Sequence, residues 1–239
     1  MWKSSIIINH SSERALQELG RRLEGIKGLC CATARTPAFA VYRLACNESD
    51  VLYVRSLVEN AVCDAIFYQY KYGILRRAAA RVPMSAGLCA LLSALLSYDA
   101  ERERTLILSV LSEQDEYVPE GVMHFRLRGL MRAWHEVADM VRSLLRSPYE
   151  ESDLYSVALY MQENRESDVR LFISDSTDLL ITNAKEGSMV EICPLYDDPV
   201  FNAVHTVVAQ GAKEVIVQGK RVDKRLLQAL ENIVRIKVL

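Results

Sequence analysis

Apolar residues recur at alternating spacings of four and three from Met123 through Leu127, Leu130, Trp134, Val137 and Val141 to Leu144. That rhythm places all seven on one side of a single uninterrupted helix over residues 120–145. A second series of the same kind, Val54, Val58, Ala61, Ala65, Tyr68, Tyr72 and Leu75, predicts another long helix from about Val51. Between them, residues 82–98 carry no charge. Leu88, Leu91, Leu92, Leu95 and Leu96 lie opposite a small-residue side of Ala86, Ala90, Ser93, Ala94 and Ser97. This segment reads as a buried helix with one close-packed face, too short and too interrupted for the roughly 20 apolar residues of a membrane span. Pro83 and Pro119 each precede or begin a helix, and a further helix over 150–163 follows Pro148.

The two ends have a shorter period. Ile6–Ile8 is a β-branched run before a helix that Ser12 is placed to cap, and residues 29–34 and 39–44 read as strands joined through Thr36 and Pro37. After residue 167, segments 169–174 and 179–182 form a hairpin-like pair, and 189–192 reads as a strand. Asp198-Pro199 then starts a helix ending at Gly211, followed by a strand at 214–218, a helix over 222–231 and a strand over 233–238. Alternation of this kind favours parallel strands. The expected class is therefore α+β. A central helical bundle over residues 48–166 is flanked by a β-α-β-β segment (1–47) and a small α/β sheet (167–239), and the lack of a long linker fits one compact body.

Composition narrows the function classes. A chain of 239 residues with half its residues apolar and a net charge of −2 can bury a core without metals or disulfides. It has no overall pull toward nucleic acid or anionic membrane. The six cysteines form no C-x-x-C pair, and no secretory leader is evident in MWKSSIIINH. Reduced cysteines packed as small core residues, in a cytoplasmic protein, are the expectation.

Known chemistries find little support. With 10 glycines the chain has no G-x-G-x-x-G and no G-x-x-x-x-G-K-[ST], and the turn at Gly187 opens no helix. There is no G-x-S-x-G, the four histidines lie in separate contexts, and His205 reads as a partly buried packing residue on its helix. No His or Cys pair has zinc spacing, and capping already accounts for Asp198. No cofactor and no catalytic constellation is expected.

Charge is arranged in blocks. Residues 65–98 hold no acid but carry Lys71, Arg76, Arg77 and Arg81, and residues 121–135 hold no acid but carry Arg126, Arg128 and Arg132. Six acids fall in 99–116, and six more in 150–168. Basic helix faces meeting acidic ones within the molecule is the favoured account. The sharper alternative is a basic surface of Lys71, Arg76, Arg77, Arg128 and Arg132 that binds nucleic acid or a phosphate ligand. Phe67 and Tyr70 would support that surface, since Tyr68 and Tyr72 are assigned to the core. Phe125 stands out, roughly 160° from its helix stripe at 100° per residue and flanked by arginines. Either the helix is buried on two sides there, which is favoured and would oblige Arg126 to find a carboxylate, or Phe125 is an exposed anchor for a partner.

Gly121-Val122-Met123-His124-Phe125-Arg126-Leu127-Arg128 resembles the Gly-Phe-hydrophobic-x-Phe-Arg-Leu-Lys signature of the YtxC-like sporulation proteins of endospore-forming bacteria. Residues 66–77, 149–160 and 204–218 agree in character with that family, and the resemblance runs from about Val51 to Leu239. Phe125-Arg126-Leu127 is its specific part. Val122 replaces the usual phenylalanine, Gly129-Leu130 an Asp-Tyr and Gln210-Gly211 an Ala-Pro, which marks a divergent member. The resemblance implies a cytosolic, non-enzymatic protein that acts in sporulation through contacts with a protein partner, and it implies no reaction. A third reading is an enzyme on the C-terminal α/β part, with Ser174, Asp175, Cys193 and Gln218 beyond the strand ends.

Overall fold

The computed structural model describes residues 1–9, 13–165, 167–175, 179–192, 194–219 and 222–239. The chain is α+β and forms two compact units, residues 1–78 with 99–141 and residues 79–98 with 142–239. This division differs from the three consecutive segments expected. The helical stretch does not form one bundle, because residues 79–98, which include its uncharged portion 82–98, pack with the C-terminal residues.

In the first unit, β1 (Trp2–Asn9), α1 (Glu13–Glu24), β2 (Cys30–Arg35) and β3 (Phe39–Cys46) form an antiparallel sheet in the order β1-β3-β2 with one helix. The capping role expected of Ser12 lies outside the described residues. Alternation makes one sheet face apolar: Ile6 and Ile8 of β1 and Ala40, Tyr42, Leu44 and Cys46 of β3 are buried with Leu16, Leu19 and Leu23 of α1. The Tyr42 hydroxyl donates to the Leu16 carbonyl at 3.0 Å. The helices of this unit are α2 (Val51–Ile66) continued into α3 (Tyr72–Ala78), α5 (Ala100–Leu111), the single turn α6 (Pro119–Gly121) and most of α7 (Arg128–Arg146).

In the second unit, α4 (Ala86–Ser97) packs against α8 (Glu151–Glu163) and α9 (Pro199–Ala209). As its lack of charge suggests, α4 is buried on nearly every side. No helix among the described residues is long and apolar enough to cross a membrane. The sheet runs β5-β4-β6-β7, with β4 (Arg170–Asp175), β6 (Glu214–Gln218) and β7 (Arg235–Val238) parallel, β5 (Leu179–Asn183) antiparallel, and α10 (Lys224–Glu231) between β6 and β7. The expected strand at 189–192 is a single bridge between Met189 and Thr182. The Asp198 side chain accepts the Val200 N–H at 2.9 Å, with Pro199 at the first position of α9.

Three described cysteines, Cys46, Cys63 and Cys89, are buried free thiols as expected. Cys30 and Cys31 are exposed, because α1 covers β1 and β3 but not β2.

A polar cluster closes the core of the second unit. His205 Nδ1 lies 3.1 Å from Ser93 Oγ, which is 3.5 Å from the Tyr196 hydroxyl, and the Cys89 thiol donates to the Phe201 carbonyl at 3.4 Å. Burial without a countercharge lowers the His205 pKa to about 4. The folded state therefore binds fewer protons than the unfolded chain, so stability is full above about pH 6.5 and falls as the pH drops from 6.5 toward 4. The loss is ~3 kcal/mol at most for that shift. Urea titrations at pH 7 and pH 4.5 should show this loss, and H205Q should remove the His205 share of it.

Gly87 sets the approach of α8 to α4. A Cβ there would lie 2.8 Å from Glu151 Cγ and 3.0 Å from the Glu151 carbonyl oxygen, while the Gly87 N–H donates to Glu151 Oε1 at 2.9 Å. G87A gains at most ~1 kcal/mol of helix propensity and meets an overpacking cost of ~1–3 kcal/mol. Net destabilisation in thermal melts is the expected result.

Candidate interaction site at two π-turns

Two helices of the first unit are interrupted by a wide turn. Residues Phe67–Lys71 join α2 to α3, with the Tyr72 N–H bonded to the Phe67 carbonyl, and residues Val122–Arg126 follow α6, with the Leu127 N–H bonded to the Val122 carbonyl at 3.0 Å. Both are i→i+5 bonds, so each turn holds one residue more than an α-turn and breaks the three–four rhythm.

At the first π-turn the rhythm that assigned Tyr68 and Tyr72 to the core fails. Both are half-buried, while Phe67 and Lys71 are buried. Lys71 is thus not part of a basic surface. The residue is 4% exposed, with its ammonium 2.5 Å from Glu103 Oε2 and 5.5 Å from the centre of the Phe67 ring. The second oxygen of Glu103 accepts the Trp134 indole N–H at 2.8 Å, and Trp134 packs on Phe67 with ring centres 6.0 Å apart. Burial pulls the Lys71 pKa below its ordinary value, partly offset by Glu103. Next to this pair, Asp64 of α2 takes Arg22 of α1 and Arg104 of α5, and Arg22 also holds Glu18 at 2.8 Å.

The second π-turn meets the first. Glu120 Oε1 accepts the Asn9 N–H at 2.9 Å and the Gln69 amide at 3.3 Å, and Tyr70 sits edge-on to His124 at 6.5 Å. Burial and the Glu120 carboxylate raise the Tyr70 hydroxyl above its usual range. Upstream, the Tyr117 hydroxyl donates to Glu59 at 3.2 Å and Arg55 holds the carbonyls of Ser112 and Gln114, which fixes the approach to α6.

The helix over 120–145 is therefore not uninterrupted: Leu127 has φ −115° and ψ 32° between the π-turn and α7. Val122, Met123 and Leu127 are buried, and His124, Phe125 and Arg126 are exposed. Two-sided burial of Phe125 is corrected. The residue is 73% exposed, with the Arg128 guanidinium 5.8 Å from the centre of its ring. Arg126 does find a carboxylate, Glu113 at 2.5 Å, but both groups are exposed. The Arg128 Nε donates to the His124 carbonyl at 2.7 Å, so Arg128 ties the turn down and covers one side of the ring.

Of the basic set, Arg77, Arg128 and Arg132 are exposed, Arg76 is half-buried, and Lys71 is removed. The Lys71–Glu103 and Arg126–Glu113 pairs instead match the internal complementarity of basic and acidic blocks. In the C-terminal sheet, Ser174 and Gln218 are register partners at the carboxyl ends of β4 and β6. Cys193 and the side chain of Asp175 lie outside the described residues. A concavity of about 570 Å³ lies at the opposite ends of these strands, lined by Arg170, Glu214 and Arg235. Ser93 and His205, which the sequence left in separate contexts, are in contact but 0% and 4% exposed, so no substrate reaches them. Among the described residues no cluster of His, Cys, Asp and Glu is placed to hold a metal ion.

No protein-family model matches the chain, and no curated protein or solved structure shows significant similarity to it.

Leaving Glu103 without its cation should cost about 3–5 kcal/mol, the usual penalty for breaking a buried pair. K71M should show that loss by urea denaturation. K71M/E103Q, which keeps an acceptor for Trp134 without the charge, should recover much of it.

Proposed function

We propose that this chain is a non-enzymatic cytosolic protein that acts through contact with another protein, with Phe125 as the anchor. In keeping with its resemblance to the YtxC-like family, its setting is sporulation. The observation that carries the reading is the placement of Phe125: a large aromatic residue, 73% exposed, on a turn whose neighbours Val122, Met123 and Leu127 are buried. A side chain fixed in this way loses little conformational freedom on binding. Aromatic and arginine side chains are also the residues that most often dominate protein contacts. The Arg128 guanidinium lies 5.8 Å from the centre of the Phe125 ring, which favours a partner surface with a carboxylate beside the anchor.

An exposed ring contributes little to folding, so F125A should change stability by no more than ~0.5–1 kcal/mol. In the endospore-forming host that the resemblance implies, F125A should nonetheless lower heat-resistant spore counts at least tenfold at unchanged protein level. Normal counts with a normally folded, normally abundant variant would overturn the reading.

A further inference from the structure

The concavity of about 570 Å³ at the ends of β4, β6 and β7 falls within the roughly 300–1,000 Å³ of small-molecule sites. All of its lining belongs to the second unit, so it is separate from Phe125. Its sides carry opposite charge. On the sheet side, Arg170, Glu214 and Arg235 are register partners across three strands. There the one carboxylate, Glu214, is shared by Lys237 at 2.6 Å, Arg170 at 3.6 Å and the neighbouring Arg235. On the helix side, Glu163 ends α8, Glu231 ends α10, and Asp168 precedes β4. Helix C-termini favour cations, yet neither last turn holds a basic residue. Lys213 donates to the Gln162 and Glu163 carbonyls, which answers the backbone of α8 and not these three carboxylates. Gln162, one residue before Glu163, lines the same concavity and is 3% exposed. Its Nε2 donates to the Val208 carbonyl of α9 at 2.9 Å, which fixes the amide, because a flip would set two acceptors together. Oε1 is then the amide atom left for the concavity, buried and with no donor among the described residues. A buried acceptor in that state is costly.

We propose that this concavity binds a free aliphatic α-amino acid, its ammonium on Gln162 Oε1 and the acidic helix ends, its carboxylate on Arg170 and Arg235. Each end of such a ligand answers something the protein leaves open. The ammonium supplies the donor that Oε1 lacks and a countercharge for Glu163, Asp168 and Glu231. The carboxylate takes up the excess of guanidinium over Glu214, in the two-oxygen contact that arginine favours. A simple amine would leave the guanidinium side uncompensated, and a simple carboxylate or phosphate would leave Oε1 and the helix side so. A metal ion does not fit, because among the described residues no His, Cys, Asp and Glu cluster is placed to hold one. Leu159 and the buried Ala212 and Ile233 supply the apolar part of the lining, which suits an aliphatic side chain.

Titration of the full chain with L-leucine, L-isoleucine and L-valine, following the Gln162 side-chain amide by heteronuclear NMR, tests the assignment. At least one of the three should move that amide with a Kd below about 1 mM. Isoamylamine and isocaproate, which keep leucine's side chain and only one of its charges, should bind at least tenfold more weakly. Asp168 and Arg235 are exposed, so D168N and R235Q should keep the fold, and each should weaken the amino acid at least fivefold. A Gln162 amide that responds to none of the three up to about 10 mM overturns the proposal. So does an amine or a carboxylate that binds as tightly as the amino acid, or binding that both variants leave intact.

Discussion

The first unit is organised around a charge that water cannot reach. Lys71 is 4% exposed, and taking its ammonium out of water costs several kcal/mol unless geometry returns it. The return requires Glu103 of α5 within 2.5 Å, and Glu103 in turn requires the Trp134 indole of α7 on its other oxygen. Three helices are thereby fixed to hydrogen-bond tolerance, a tighter constraint than apolar packing alone imposes. Asp64, with one arginine from α1 and one from α5, extends the same network to the helix that covers the N-terminal sheet. A hydrophobic trio of similar volume would hold these helices with less risk, so the ionic centre is better read as a device for unique placement than as a source of stability.

Both π-turns belong to this constraint. A helix that kept i→i+4 bonding through residues 67–71 would carry Lys71 and Phe67 at different angles to α5 and α7. The extra residue costs one irregular turn and brings both side chains to bear on the Glu103–Trp134 pair. At 122–126 the same irregularity has the opposite result: Val122 and Leu127, joined by the i→i+5 bond, both point inward, and the three residues between Met123 and Leu127 are left outside. One backbone irregularity therefore buries a lysine at one place and presents a phenylalanine at another.

Where bonding is regular, the structure was legible in the sequence. The series from Val54 to Ala65, the stripe through Trp134 and Val141, the capped start at Asp198-Pro199 and the alternating strands after residue 169 all follow from period and capping chemistry. Legibility ended at the π-turns, because an i→i+5 bond is chosen by tertiary packing and leaves no local composition signal. The three–four rhythm therefore points Tyr68 and Tyr72 at the core that Phe67 and Lys71 occupy, and Phe125 at a second buried side. The destination of residues 79–98 was hidden for a related reason: a helix that is apolar all round carries no stripe to say which neighbour it faces. The internal pairing of basic with acidic blocks was legible as a tendency, but the pair Lys71–Glu103 was not, since it depends on which face the first π-turn presents.

The two units also differ in what they do with polar groups. In the second, they are used internally: His205 on Ser93, Asn202 on both the N–H and carbonyl of Tyr196 at 2.6 and 2.9 Å, and Gln162 on the Val208 carbonyl at 2.9 Å. These bonds satisfy the ends and crossings of α4, α8 and α9, and they leave that unit's buried chemistry enclosed. The first unit instead leaves Phe125 exposed beside the Arg128 guanidinium, and every residue of β2 exposed. The core of the second unit is thereby filled from within, while the first unit keeps part of its irregular turn and all of β2 at its surface.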